Sequence, residues 1–203
     1  RSYRLNVWNP DTATVLANPK PIMGLSDAST FLSYFNSLGL ITLYGPSVMA
    51  GFAQTNALPD EFRHHIRRVL FEDSTGYEYK PYPQWSEGYP NWKDPENTGK
   101  VLNLQTNPDG WRWLQGEGVV TGRIWGGCIE ILEFLKGTRF WPRQDFWPGT
   151  VLLLETSEEK PTVSQVKYMV RNYGMQGVLD GAAAMLFGRA RGYTAEEKGQ
   201  LDC

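Results

Sequence analysis

The sequence predicts an α/β protein: an incomplete parallel-sheet unit in the N-terminal part and a mixed α+β region after it. Three observations carry this expectation. Residues 21–24 and 40–44 are short apolar runs on either side of an amphipathic stretch at 27–38, which is the order of a β-α-β unit. Residues 77–110 then turn to proline, glycine, asparagine and aromatics. Beyond them, the apolar runs at 150–155 and 182–187 flank a helical pattern.

Taken in order, residues 1–20 are polar, with one short helix expected at 11–17 before Pro19. Ile22 and Met23 suit a buried strand end, and Gly24 permits a tight turn. Leu32, Phe35 and Leu38 then share one face of a helix. Residues 59–71 place Phe62, Ile66, Val69 and Leu70 at helical spacing, with His64 and His65 on a cationic, solvated face. In the 77–110 segment Tyr79, Tyr82, Trp85, Tyr89 and Trp92 are threaded between prolines, and long aromatic loops of this kind tend to be functional.

Further on, residues 119–125 read as a strand, 129–135 as a short helix and 150–155 as a buried strand. Thr162 and Gln165 form a capping box for a helix carrying Val163, Val166, Met169, Val170 and Tyr173, stopped at Gly174. Residues 177–188 give another buried strand. The domain division expected is 1–75, a linker and loop at 76–110, and 111–203.

With 203 residues and 41% hydrophobic content the chain can bury a substantial core. Twenty Lys and Arg stand against 22 Asp and Glu, so no charge excess recruits nucleic acid or an anionic membrane. The two cysteines, Cys128 and Cys203, have neither metal-ligand spacing nor disulfide density, which points to a reducing cytoplasm. No run approaches a transmembrane length, and residues 1–6 lack a signal-peptide core. No metal-ligand cluster is visible, and Gly126-Gly127 lacks the frame of a phosphate cradle, so no metal and no cofactor are expected.

Chemistry is expected at Ser26. It follows Gly24 at a strand-to-helix junction, where a bend can hold a hydroxyl out toward a substrate carbonyl, as in a nucleophile elbow lacking its second glycine. A Ser-Asp pair at such a place also serves as a helix N-cap. Glu155 closes the apolar run 151–154, so its carboxylate belongs at a strand terminus beside the core; an exposed acid among Glu158 and Glu159 is the other reading.

Asn18-Pro19-Lys20-Pro21-Ile22-Met23-Gly24-Leu25-Ser26-Asp27, followed by Tyr44-Gly45-Pro46-Ser47, resembles the signature of the LD-carboxypeptidase family of serine peptidases, with Leu25 in place of the usual tyrosine. Gly122-Arg123-Ile124-Trp125-Gly126-Gly127-Cys128, Gly137-Thr138, the run 151–155 and Gly188-Arg189 follow in the family's order. The resemblance implies a flavodoxin- or Rossmann-like first domain, a mixed second domain and an active site in the cleft between them. It implies Ser26 as nucleophile, Glu155 as the acid that orients a catalytic histidine, and the backbone N–H of Asp27 in the oxyanion hole.

The family's histidine belongs to a Gly-His motif beyond residue 203, and its first strands and glycine pair belong before Arg1. The resemblance therefore leads us to expect a chain truncated at both ends and inactive by itself. The tryptophan-rich loop resembles the microcin immunity branch, where a loop tryptophan stacks on a nucleobase; Trp92, with Trp85 beside it, is the expected ring, unless these tryptophans only pack the domains together. The implied partner is a small peptide, either of murein LD type or a peptidyl or aminoacyl nucleotide, with a homodimer as the possible assembly. The competing class is a non-catalytic binder of peptide or sugar in a tryptophan-rich cleft.

Overall fold

One glycine decides how closely the N-terminal unit meets the C-terminal sheet. The computed structural model describes residues 11–49, 51–73, 76–91 and 93–202. Strand β1 (Met23–Gly24) and strand β2 (Leu43–Tyr44) pair in parallel, Met23 opposite Leu43 and Gly24 opposite Tyr44, with helix α2 (Ser29–Ser37) as their crossover. The expected β-α-β unit is present, preceded by helix α1 (Thr12–Ala17), which Asp11 caps. Its helix packs through Leu32 and Phe35 but also carries two buried serines, Ser29 and Ser33.

Those serines meet strand β5 (Ile124–Cys128). Ser29 Oγ accepts from the Cys128 N–H at 3.0 Å, Ser33 Oγ donates to the Gly126 carbonyl at 2.9 Å, and the Trp125 indole N–H donates to the Ser33 carbonyl at 3.1 Å. Close approach requires the missing side chains. Gly126 and Gly127 sit at φ +148° and +144°, and a Cβ at 127 would lie 2.6 Å from Ser29 Oγ, while one at 126 would enter the Leu153 carbonyl.

β5 pairs in parallel with β6 (Val151–Glu155), and β6 with β7 (Ala184–Phe187), in the order β5-β6-β7. Helices α4 (Ile129–Leu132), α5 (Val163–Met175) and α6 (Val178–Gly181) supply the crossovers. The core holds Trp125, Ile129, Leu132, Leu135, Trp147, Leu152, Leu154, Tyr173 and Val178. Each such side chain contributes about 1.5–3 kcal/mol on burial. Trp125 meets Trp147 edge to face at 4.9 Å and Trp141 at 5.4 Å, the arrangement aromatic quadrupoles favour.

Four expectations need correcting. The strand expected at 119–125 begins only at Ile124 and runs on through both glycines, because β6 supplies partners from Val151 to Glu155 opposite that stretch. Residues 177–188 are not one buried strand: α6 comes first, and in β7 Met185 and Leu186 remain about half exposed because β7 is the sheet's edge. Helix α5 keeps its Thr162/Gln165 capping box but passes through Gly174; an interior glycine costs only about 1 kcal/mol, and the chain turns instead at Gly177, at φ +71°. Within 77–110, strands β3 (Gln84–Trp85) and β4 (Gln105–Thr106) pair antiparallel where a loop was expected.

Helix α3 (Asp60–Phe71) forms as expected, but His65 is not on a solvated face. Its ring stacks on Tyr77 at 4.7 Å, meets Tyr79 edge-on at 4.9 Å and is hydrogen-bonded to the Tyr82 hydroxyl; burial lowers its pKa. Helix α7 (Ala195–Leu201) ends the described chain, capped by Thr194 with Glu197. Gly126→Ala should destabilise the protein by about 3 kcal/mol or more, since it combines positive φ with a backbone collision, and urea unfolding followed by tryptophan fluorescence will register it as a lowered midpoint.

Candidate active site

Open α/β sheets gather ligands beyond the carboxyl ends of their strands. β1 ends at Gly24, and the chain bends at once: Leu25 is extended, and Ser26 adopts φ +56°, a left-handed conformation that serine rarely takes. A single 310 turn, Ser26–Ala28, leads into α2. Ser26 is half-buried and Asp27 exposed. Asp27 makes no side-chain cap; the residue before α2 is Ala28, and the Asp27 carbonyl accepts from the Thr30 hydroxyl at 3.0 Å. The N-cap reading of the Ser-Asp pair is therefore not what the turn uses.

From the other side, β6 ends at Glu155, opposite Cys128 of β5. Glu155 is partly buried, so it is not an exposed acid among its neighbours. Gly188 leaves room for it: a Cβ at 188 would lie 2.8 Å from the Glu155 Cβ. Burial pushes the Glu155 carboxyl above its usual range, a hydrogen bond from Tyr44 opposes this, and the charges of Glu130 and Glu158 add to the upward shift.

Tyr44 joins the two ends. Its hydroxyl accepts from the Ser26 N–H at 3.3 Å and donates to Glu155 Oε1. Burial, and then the acceptor carboxylate, hold its phenol well above the usual tyrosine range. Sequence reasoning gave Tyr44 no role beyond its place in the Tyr44-Gly45-Pro46-Ser47 motif, and its strand pairs with the one that delivers Ser26. Nearby, Glu130 Oε1 accepts from the Ser157 N–H and hydroxyl at 3.0 and 2.6 Å, fixing the turn after β6. Cys128 lies against the same cluster, buried, its thiol pushed up to about 12 chiefly by desolvation.

A cavity of about 260 Å³ is lined by Pro46, Phe62, Tyr82, Trp85, Tyr89 and Gln54 among others. Pro46, two residues after Tyr44, is the lining residue nearest in sequence to the site. The Trp85 ring carries the Arg189 guanidinium at 4.5 Å, with Lys198 at 5.8 Å, and Arg189 also donates to Asn107 at 2.7 Å. Arg191 packs over Gly88. Trp92 lies outside the described residues. No hydrogen bond joins His64 or His65 to Ser26 or Glu155 among the described residues, and these residues contain no His, Cys, Asp and Glu cluster able to hold a metal and no helix long and apolar enough to cross a membrane.

Residues 121–202 match the LD-carboxypeptidase C-terminal domain. Over 173 residues the chain is 29% identical to a Vibrio cholerae protein named as a carboxypeptidase, covering 85% of this chain and 49% of that one. It is 27% identical over 181 residues to the microcin C7 self-immunity protein MccF of Escherichia coli, covering 88% of this chain and 50% of that one. The chain spans about half the length of the curated relatives it matches. An MccF-like protein from Streptococcus pneumoniae, solved in complex with AMP, superposes with a TM-score of 0.80 at 26% identity over 96% of this chain and 60% of that one. The serine bend, the glutamate at the end of β6 and these likenesses agree: residues 121–202 match the family's C-terminal domain, and the chain as a whole is similar to LD-carboxypeptidase and MccF proteins.

Proposed function

We propose that this chain carries the nucleophile and the acid of a serine-type carboxypeptidase acting on a small peptide amide. The observation that supports it is Ser26, strained into a left-handed bend at a strand end and linked through one tyrosine hydroxyl to Glu155. Strain of this kind persists where surrounding structure over-determines it, and functional sites are where it collects. In this reading residues 1–75 deliver the nucleophile, 111–203 deliver the acid, and 76–110 form the substrate-facing loop between them.

The chemistry follows from the positions. Ser26 Oγ attacks the scissile carbonyl as its proton passes to a general base, and an acyl-enzyme forms as the amine leaves; water then releases the acid and restores the hydroxyl. The N–H of Asp27, next along the turn, serves the oxyanion. Glu155 orients the base, which is neither His64 nor His65, since α3 holds His65 within its tyrosine nest.

The favoured substrate is a peptidyl or aminoacyl nucleotide of the microcin type. MccF has been solved with aspartyl sulfamoyl adenosine, and the aromatic cavity lined by Phe62, Tyr82, Trp85 and Tyr89 offers this chain a surface for a flat ring. Trp85 and Trp92 are assigned to that ring, with LD-peptides of murein as the other substrate class.

Three outcomes are expected. In the full-length protein, Ser26→Ala should abolish both hydrolysis of an aminoacyl nucleotide and labelling by a fluorophosphonate; turnover that survives this change would reject the reading. Trp85→Ala should weaken AMP binding by about 1–3 kcal/mol in calorimetry, and unchanged affinity would remove Trp85 from the ring site. Glu155, with a folded pKa above its unfolded value, stabilises the fold only when protonated: stability is gained as pH falls from the folded value toward the unfolded one, and the ionised form costs stability above it. Glu155→Gln should therefore raise the melting temperature at pH 7, with the gain shrinking as pH falls and vanishing once the carboxyl is protonated in both the folded and the unfolded chain.

A further inference from the structure

We infer that Tyr44 is a positioning residue, whose hydroxyl fixes the Glu155 carboxylate against the Ser26 turn and keeps nucleophile and acid in register. The inference rests on the reading of Ser26 and Glu155 given above. It comes from how one oxygen is used. The Tyr44 hydroxyl accepts the Ser26 N–H at 3.3 Å with a lone pair and spends its single proton on Glu155 Oε1. A bend from one end of the molecule and a carboxylate from the other are therefore tied to one atom.

The backbone is shaped to admit this contact. Tyr44 is set by its parallel pairing with Gly24, two residues before Ser26. Its ring lies over Gly127, where a Cβ would stand 3.1 Å from the ring's Cε2, and Gly188 clears the opposite side of Glu155. The bond also answers an electrostatic problem. Glu155 is desolvated and faces like charge from Glu130 on α4 and Glu158 after β6, with the Cys128 thiol of β5 close by. These influences favour the protonated acid, which would orient a base poorly; a phenol donating to the carboxylate favours the ionised form. A tyrosine held neutral by burial suits that work, because it keeps its proton across the working pH range.

Tyr44→Phe removes the hydroxyl and leaves the ring over Gly127. In the full-length protein we expect Ser26 to react with a fluorophosphonate about tenfold more slowly or worse. The Glu155 carboxyl, followed by infrared titration and assigned against Glu155→Gln, should move its midpoint up by about one pH unit. An unchanged labelling rate with an unchanged midpoint overturns the inference, and so does a lowered melting temperature with no movement of the midpoint, which marks a merely structural tyrosine. Should Tyr44→Phe fail to fold, 3-fluorotyrosine at position 44, a stronger donor of the same shape, should move the midpoint down, and an unmoved midpoint again rejects the role. Ser26→Ala is run alongside: labelling that persists there defeats the hydrolase reading itself, whereas labelling lost there but unaltered in Tyr44→Phe defeats only the role of Tyr44.

Discussion

The close docking of α2 on β5 is the constraint from which the arrangement follows. Helices usually meet sheets through apolar side chains, but here two serines hydrogen-bond directly to strand backbone at Cys128 and Gly126. That contact needs the missing side chain at 127, where a Cβ would lie 2.6 Å from Ser29 Oγ, whereas at 126 the missing side chain clears the Leu153 backbone of β6. Since α2 begins immediately after the Ser26 turn and β5 lies beside β6, the same contact sets the distance between serine bend and glutamate.

The division of labour between the two ends of the chain follows from this. The C-terminal sheet has the large apolar core, built on Trp125, Trp147, Leu152, Leu154 and Tyr173, and it provides the rigid platform. The N-terminal unit buries less and depends on that platform for support; its two strands are two residues long, and α2 is held as much by polar bonds as by Leu32 and Phe35. A partly buried lysine extends the platform: Lys136 lies 3.9 Å from the Tyr173 ring centre and pairs with Glu133, so its charge is met by both an aromatic face and a carboxylate.

Much of this was legible in the sequence. The β-α-β order at 21–44 and the capping box at Thr162 are local patterns, written in periodicity and in one side chain's reach, and they were read correctly. The ends of β5 and the nature of 177–188 were not, because a strand's limits depend on its partner's register and an edge strand's exposure on which neighbour is absent. For the site, the places of Ser26 and Glu155 at strand ends could be seen, while Tyr44 could not. Its importance arises from a hydrogen bond between residues 111 positions apart, and only the assembled sheets create it. His65 was misjudged for a similar reason, since the tyrosines that enclose it come from the segment after its own helix.

The left-handed backbone at residue 26 has an evolutionary corollary. Of the two aliphatic alcohols the genetic code supplies, threonine is branched at Cβ and fits poorly where φ is positive, whereas serine is tolerated. Exchange between the two, routine at ordinary surface sites, is closed here by sterics before reactivity enters. Any descendant that keeps an alcohol at this bend must keep serine.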